Sequence, residues 1–134
     1  MVQLFLVMHE PLGQAFQACA RHVLGVEPGL TVVDIPPDAD PDTLVAELVS
    51  RLSGDMNQQT LILCDIFGAT PFNIANRARK LVTDAGGNVC VLAGANLSMV
   101  LKALTDPSGS MSERYQRASA SAVRAVANPD QPAC

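Results

Sequence analysis

Val2-Gln3-Leu4-Phe5-Leu6-Val7-Met8-His9-Glu10-Pro11-Leu12-Gly13 is the stretch that frames the rest of the chain. Leu4 to Met8 is an unbroken apolar run of strand length, the pattern of a strand buried on both faces. It stops at the titratable His9. Glu10-Pro11 then breaks the extended pattern, and apolar residues recur at helical spacing through Leu12, Phe16, Cys19, Ala20 and Val23. This opening predicts a β-α unit with an imidazole at the carboxyl end of the first strand. In open α/β sheets the crevice beyond those strand ends is where ligands and chemistry collect. A capping or simply solvated histidine fits the same position equally well.

The pattern repeats outward from that unit. The first helix is expected over Leu12 to Leu24, closed by Gly25, and a second strand over Leu30 to Ile35 between Pro28-Gly29 and Pro36-Pro37. Asp40 has the character of an N-cap with Pro41 at the first helical position, and Leu44, Val45, Leu48 and Leu52 mark that helix's buried face. The third strand runs from Leu61 to Cys64, ending at Asp65. Thr70 is the expected cap of the next helix, with Pro71 in its first turn and Gly86-Gly87 beyond its end. Asn88 to Ala93 is the fourth strand, Asn96 caps a fourth helix, and Ser112 to about Ala120 is helical. Ser121 to Ala127 fits either a helix end or a short edge strand, and Asn128 to Cys134 a frayed tail. Strand–helix alternation predicts an α/β, doubly wound, mainly parallel sheet with right-handed crossovers.

Composition narrows the function. At 134 residues the chain fits one domain, and with 49% hydrophobic residues it can build a core without disulfides or metal. A formal net charge of −4 argues against nucleic acid or an anionic membrane as the main partner. No apolar run is long enough to cross a membrane, and the N-terminus has no basic region of a signal peptide, so a cytoplasmic protein without membrane insertion is expected. Cys19, Cys64, Cys90 and Cys134 show no metal-ligand spacing, and no metal or other cofactor is expected. The acidic run Asp34, Asp38, Asp40 and Asp42 is better explained by capping and a solvated loop than by a metal. His22 complements the end of the first helix. Cys64 lacks a basic neighbour that would make it a nucleophile, and Phe67 suits either an exposed partner contact or the core.

Two strand ends carry the candidate chemistry. Asp65 is followed by Ile66-Phe67-Gly68-Ala69-Thr70-Pro71-Phe72-Asn73, a small-residue loop leading into a helix N-terminus, whose amides and Thr70 hydroxyl suit an oxyanion. The same segment read alone is better explained as a well-formed turn and cap. With strands one and three adjacent, His9 and Asp65 would meet on one rim. A carboxylate on one imidazole nitrogen fixes the tautomer, leaves the other nitrogen's lone pair free and stabilises the cation formed on phosphorylation. The pair therefore suits a histidine that accepts and passes on a phosphoryl group.

These residues resemble the enzyme IIA domain of the mannose family of the bacterial phosphoenolpyruvate:sugar phosphotransferase system. The family pattern after the third strand is an Asp, two variable residues and Gly-Gly-Ser-Pro-Phe-Asn, matched here by Asp65 and Gly68 to Asn73. Gly94-Ala95-Asn96-Leu97 is similar to its Gly-Val-Asn-Ile/Leu segment. The resemblance covers about Val2 to Ala127, which is expected to be a stand-alone IIA domain (1–127), with 128–134 as a flexible tail and no fused IIB domain. It implies that His9 takes a phosphoryl group on Nε2 from phospho-HPr or its nitrogen-branch relative. Asp65 would bond Nδ1, with Gly68, Ala69 and Thr70 holding the phosphate. It implies a IIB-like acceptor or a regulatory target, a sheet of order 2-1-3-4, and a homodimer exchanging an antiparallel edge strand, for which Ser121 to Ala127 is the candidate. Met8 and Glu10 depart from the family's usual Thr or Ser before the histidine and Gly after it. The alternatives are a flavodoxin-like anion-binding or signalling module, and the phosphocarrier subunit of a dihydroxyacetone kinase system.

Overall fold

The computed structural model describes residues 2–131. Its elements run β1 (Val2–His9), α1 (Leu12–Leu24), β2 (Thr31–Ile35), α2 (Pro41–Leu52), β3 (Gln59–Cys64), α3 (Thr70–Asp84), β4 (Asn88–Leu92), α4 (Leu97–Thr105) and α5 (Met111–Arg124). The four strands form one parallel sheet in the order β2-β1-β3-β4. This is the α/β architecture and strand order that the sequence implied.

The opening strand is central and buried on both faces. Phe5 and Val7 point into the layer formed with Val45, Leu48 and Leu52 of α2 and Ile74, Ala75, Ala78 and Val82 of α3. Leu4, Leu6 and Met8 point into the other layer, with Phe16 of α1, Met99 and Val100 of α4, and Ala118 and Ala122 of α5. Strand alternation and burial on both sides together require the continuous apolar run. Every side chain from Leu6 to Met8 is fully buried.

Helix α1 has the expected bounds and ends at Gly25 in a left-handed conformation (φ 73°) that lets its amide close the last turn on Arg21. Its rotation differs from the expected one. Gly13 and Ala20 face the sheet, Phe16 is half-buried, and Leu12, Cys19 and Val23 are exposed. A tertiary tether sets this phase: Asp34 of β2 accepts hydrogen bonds from the amides of Gly13 (2.8 Å) and Gln14 (3.1 Å). The approach is so close that a Cβ on Gly13 would lie 2.3 Å from Asp34 Oδ1.

The expected edge strand at Ser121–Ala127 is corrected by the structure. Ser121 to Arg124 are the last turn of α5, and no antiparallel strand joins the sheet among the described residues. The helix is launched by a reciprocal capping box between Ser110 and Glu113. Its last turn is held by Asn96, whose side-chain amide donates to Ala122 O (2.9 Å), and by Ser121 Oγ donating to Ser98 O (3.3 Å). Ala118 and Ala122, one helical turn apart, enter the core, which fixes the helical phase over the alternating one. Residues 128–131 of the expected tail form a turn in which Gln131 N donates to Asn128 O; residues 132–134 lie outside the described part.

Candidate functional site

The parallel register puts the two candidate strand ends side by side. Val7 pairs with Cys64, so His9, at the end of β1, extends beyond the last residue of β3 and reaches Asp65. Asp65 Oδ2 lies 2.7 Å from His9 Nδ1 and accepts from the His9 amide at 3.0 Å. Oδ1 accepts from the Ile66 amide at 2.9 Å. An ionised carboxylate only accepts, so the ring proton sits on Nδ1 and the Nε2 lone pair is uncommitted. The Asp65 side chain is 7% exposed and that of His9 47%, an oriented but reachable imidazole. Burial by itself pushes the Asp65 carboxyl upward, but the hydrogen bonds from the His9 amide and ring and from Ile66 outweigh it. The group is held below the usual aspartate range.

His9, Glu10, Thr70 and Pro71 line one cleft of about 390 Å³, walled by Ile35, Pro36, Pro37, Ala39 and Pro41. Proline at these wall positions restricts the backbone around the imidazole. Glu10 is anchored through its amide, which donates to Ile35 O at 3.1 Å.

The turn after Asp65 carries the remaining candidates. Gly68 adopts the left-handed conformation (φ 84°) required there, and its carbonyl accepts from Asn73 Nδ2. Ala69, not Thr70, is the N-cap of α3, and Pro71 is the second helical residue. Ala69 is extended (φ −80°, ψ 172°), and its amide closes the turn onto Ile66 O at 3.3 Å, so the helix starts one residue earlier than a threonine cap would place it. The shift leaves the Thr70 hydroxyl, and the amides of Gly68 and Thr70, without a partner among the described residues. Gly68 and Ala69 do not line the cleft beside His9; Thr70 does. Phe67 is 77% exposed and stacks on Phe72 with ring centroids 4.7 Å apart, and Ile66 beside it is also exposed.

Asp34, which the sequence groups with Asp38, Asp40 and Asp42 as a capping or loop residue, caps α1 from β2 and so positions the start of that helix beside the site, a long-range role the sequence reading did not assign. Its signal was present: it is the one charged residue in the apolar run Leu30–Ile35, and it pairs with Met8 across β1 and β2, next to the strand end where α1 begins. Burial, then the neighbouring Asp65 charge, pushes the Cys64 thiol up to about 12, which removes it as a nucleophile. No cluster of metal-ligating side chains occurs among the described residues, and none of the described helices is long and apolar enough to cross a membrane.

Solved structures share this fold. The chain is similar to the mannose/sorbose-specific IIA subunit from Enterococcus faecalis (25% identity, 98% of this chain and 97% of that chain, TM-score 0.85). Its fold is also that of an EIIA component from Streptococcus agalactiae (18% identity, 96% and 97% coverage, TM-score 0.83). In sequence it is 25% identical over 92 residues to the sorbose-specific EIIA component of Lacticaseibacillus casei, covering 67% of each. The model of the EIIA-man family, described as the PTS system fructose IIA component, matches residues 3–121. The chain belongs to this family and is a IIA component of the phosphotransferase system, with the phosphotransferase role that membership carries.

Proposed function

We propose that His9 is the phosphoryl acceptor and that residues 1–127 form the carrier unit, with 128–134 appended as a tail. The observation that carries this reading is the 2.7 Å contact between His9 Nδ1 and Asp65, which turns an uncommitted Nε2 outward. In the transfer, the Nε2 lone pair forms the new N–P bond as the bond from phosphorus to the donor nitrogen breaks. The proton on Nδ1 stays in place, and the imidazole becomes cationic beside a carboxylate already ionised to receive it. The Thr70 hydroxyl and the amides of Gly68 and Thr70 are the nearby donors suited to the phosphoryl oxygens, aided by the α3 N-terminus. The reverse step hands the group on and restores the neutral ring.

The donor in this proposal is phospho-HPr or its nitrogen-branch relative, and the acceptor is a IIB-like protein or a regulatory target, in the cytoplasm. Exposed Ile66 and Phe67 offer apolar contact beside the histidine, and Glu10 adds a negative charge that favours a donor with a cation opposite it. A homodimer would form without strand exchange by Ser121–Arg124, since those residues are helical. Incubation with phosphoenolpyruvate, enzyme I and each HPr type, followed by intact mass measurement, tests the carrier step. The expected result is an acid-labile phosphoryl adduct that His9→Ala abolishes. A folded protein that takes no label from either donor refutes it.

A further inference from the structure

A second cavity lies at the other end of the sheet from His9, where the strands begin. It has a volume of about 670 Å³ and is bounded by the start of β1 (Val2, Gln3, Leu4), the entry to β2 (Gly29, Leu30, Thr31), Gln58, the end of α4 (Ala103, Leu104) and Arg114 of α5. That volume is in the range of small-ligand sites. Val2 to His9 spans roughly 20 Å of extended strand, so this pocket is separate from the histidine cleft.

Its polar groups stand out by having nothing to bind within the fold. Arg114 is half-buried, yet its guanidinium has no carboxylate and no hydrogen-bond acceptor among the described residues. The Gln58 side chain, on the loop before β3, likewise has no hydrogen-bond partner among the described residues, whereas Gln3 and Thr31 border the pocket from strands whose alternation turns their side chains toward α2 and α3. The neighbouring carboxylates are already committed. Asp106 is held by Arg117 (3.0 Å), Lys102 (3.7 Å) and Ser108, and Glu113 closes the α5 capping box on Ser110. The remaining walls, Val2, Leu4, Leu30, Ala103 and Leu104, are aliphatic.

We infer that this pocket binds a small monocarboxylate with a short aliphatic body. One free guanidinium matches one carboxylate through paired N–H donors, the Gln58 amide is the further polar group at the mouth, and the aliphatic walls take the chain. A dianionic phosphate fits less well, because a single cation would face two charges with Asp106 close by.

Hexanoate and its neutral counterpart hexanamide are the probes, titrated into the ¹⁵N-labelled full chain and followed by NMR. The expected result is saturable shifts of the Arg114 Nε–H and the Gln58 side-chain amide with hexanoate and not with hexanamide. Arg114→Gln should weaken binding about ten- to hundredfold, the size expected for a lost charge-assisted pair. Ala103→Met, which narrows the pocket without touching the charge, should weaken it as well, and His9→Ala should leave it unchanged. Absence of saturable shifts in the folded protein, equal response to the amide, or full binding by Arg114→Gln would each overturn the assignment. The His9→Ala arm separates this result from the fate of the phosphoryl-transfer reading.

Discussion

Helices α1 and α3 begin on the same rim of the sheet, one after β1 and the other after β3, yet their N-termini are put to opposite uses. At α1 the first free amides, Gly13 and Gln14, are filled by the carboxylate of Asp34. At α3 the cap residue is Ala69, which has no side-chain acceptor, and the amides of Gly68 and Thr70 have no partner among the described residues. The nearby carboxylate, Asp65, turns away from α3 toward the His9 ring. Both helices present the same positive dipole end, so it is the placement of two aspartates that makes one terminus structural and leaves the other for an incoming anion. The rim thus has one closed and one open anion position, with the imidazole between them.

The largest expected break in that comparison comes from Asp65→Asn. Three donors converge on the two Asp65 oxygens, and an amide offers only one oxygen, so one donor would face an NH₂ group. Phosphoryl transfer measured by rapid-quench labelling from phospho-HPr should slow by about a hundredfold or more, through loss of both the ring tautomer and the charge that stabilises its cation. The same carboxyl links stability to pH. Because its folded pKa is depressed, its contribution is fully present above the ordinary aspartate value near 3.8 and disappears as pH falls through the lower folded value. Acid unfolding of Asp65→Asn, followed by circular dichroism, should lack that part of the transition.

Gly13→Ala attacks the closed terminus sterically, since the new methyl would meet Asp34 Oδ1 at 2.3 Å and Val32 Cγ1 at 2.8 Å. A loss of about 2 kcal/mol in urea denaturation is expected. Asp34→Ala removes the cap without the clash and should cost about 1 kcal/mol. It should also make α1 resemble α3: added sulfate should stabilise this variant more than the wild type in thermal melts. Thr70→Val removes only one hydroxyl at the open terminus. Transfer should fall about threefold to tenfold, with Thr70→Ser near wild type and unfolding unchanged.

How far the sequence foretold these features depends on how local their causes are. The run Leu4–Met8 identified the central strand because burial on both faces leaves no room for a polar residue, a constraint written within five adjacent positions. The histidine and aspartate were legible for the same reason, each standing at the abrupt end of such a run. The rotation of α1 was not, since it is decided by Asp34, twenty-one positions beyond Gly13. The end of α5 was ambiguous because Val123-Arg124-Ala125-Val126 fits either period; Asn96 and Ser98, on another helix, hold the last turn. The cap of α3 was displaced by one residue, as a threonine before proline is a strong cap pattern and only the Ile66–Ala69 turn moves the start.

The central place of β1 also bears on how the molecule is made. β1 is made well before one of its two partners, β3, with which it pairs beginning with Val2 against Gln59. At about 5–20 residues per second, roughly 3–12 seconds of synthesis separate those partners. Through that interval the aliphatic strand has at most β2 beside it, so at least half of its sheet edge is bare, which is a template for intermolecular pairing. A nascent chain stalled while β3 is still inside the ribosome is therefore expected to be a better chaperone client than one stalled after β3 has fully emerged and can pair with β1.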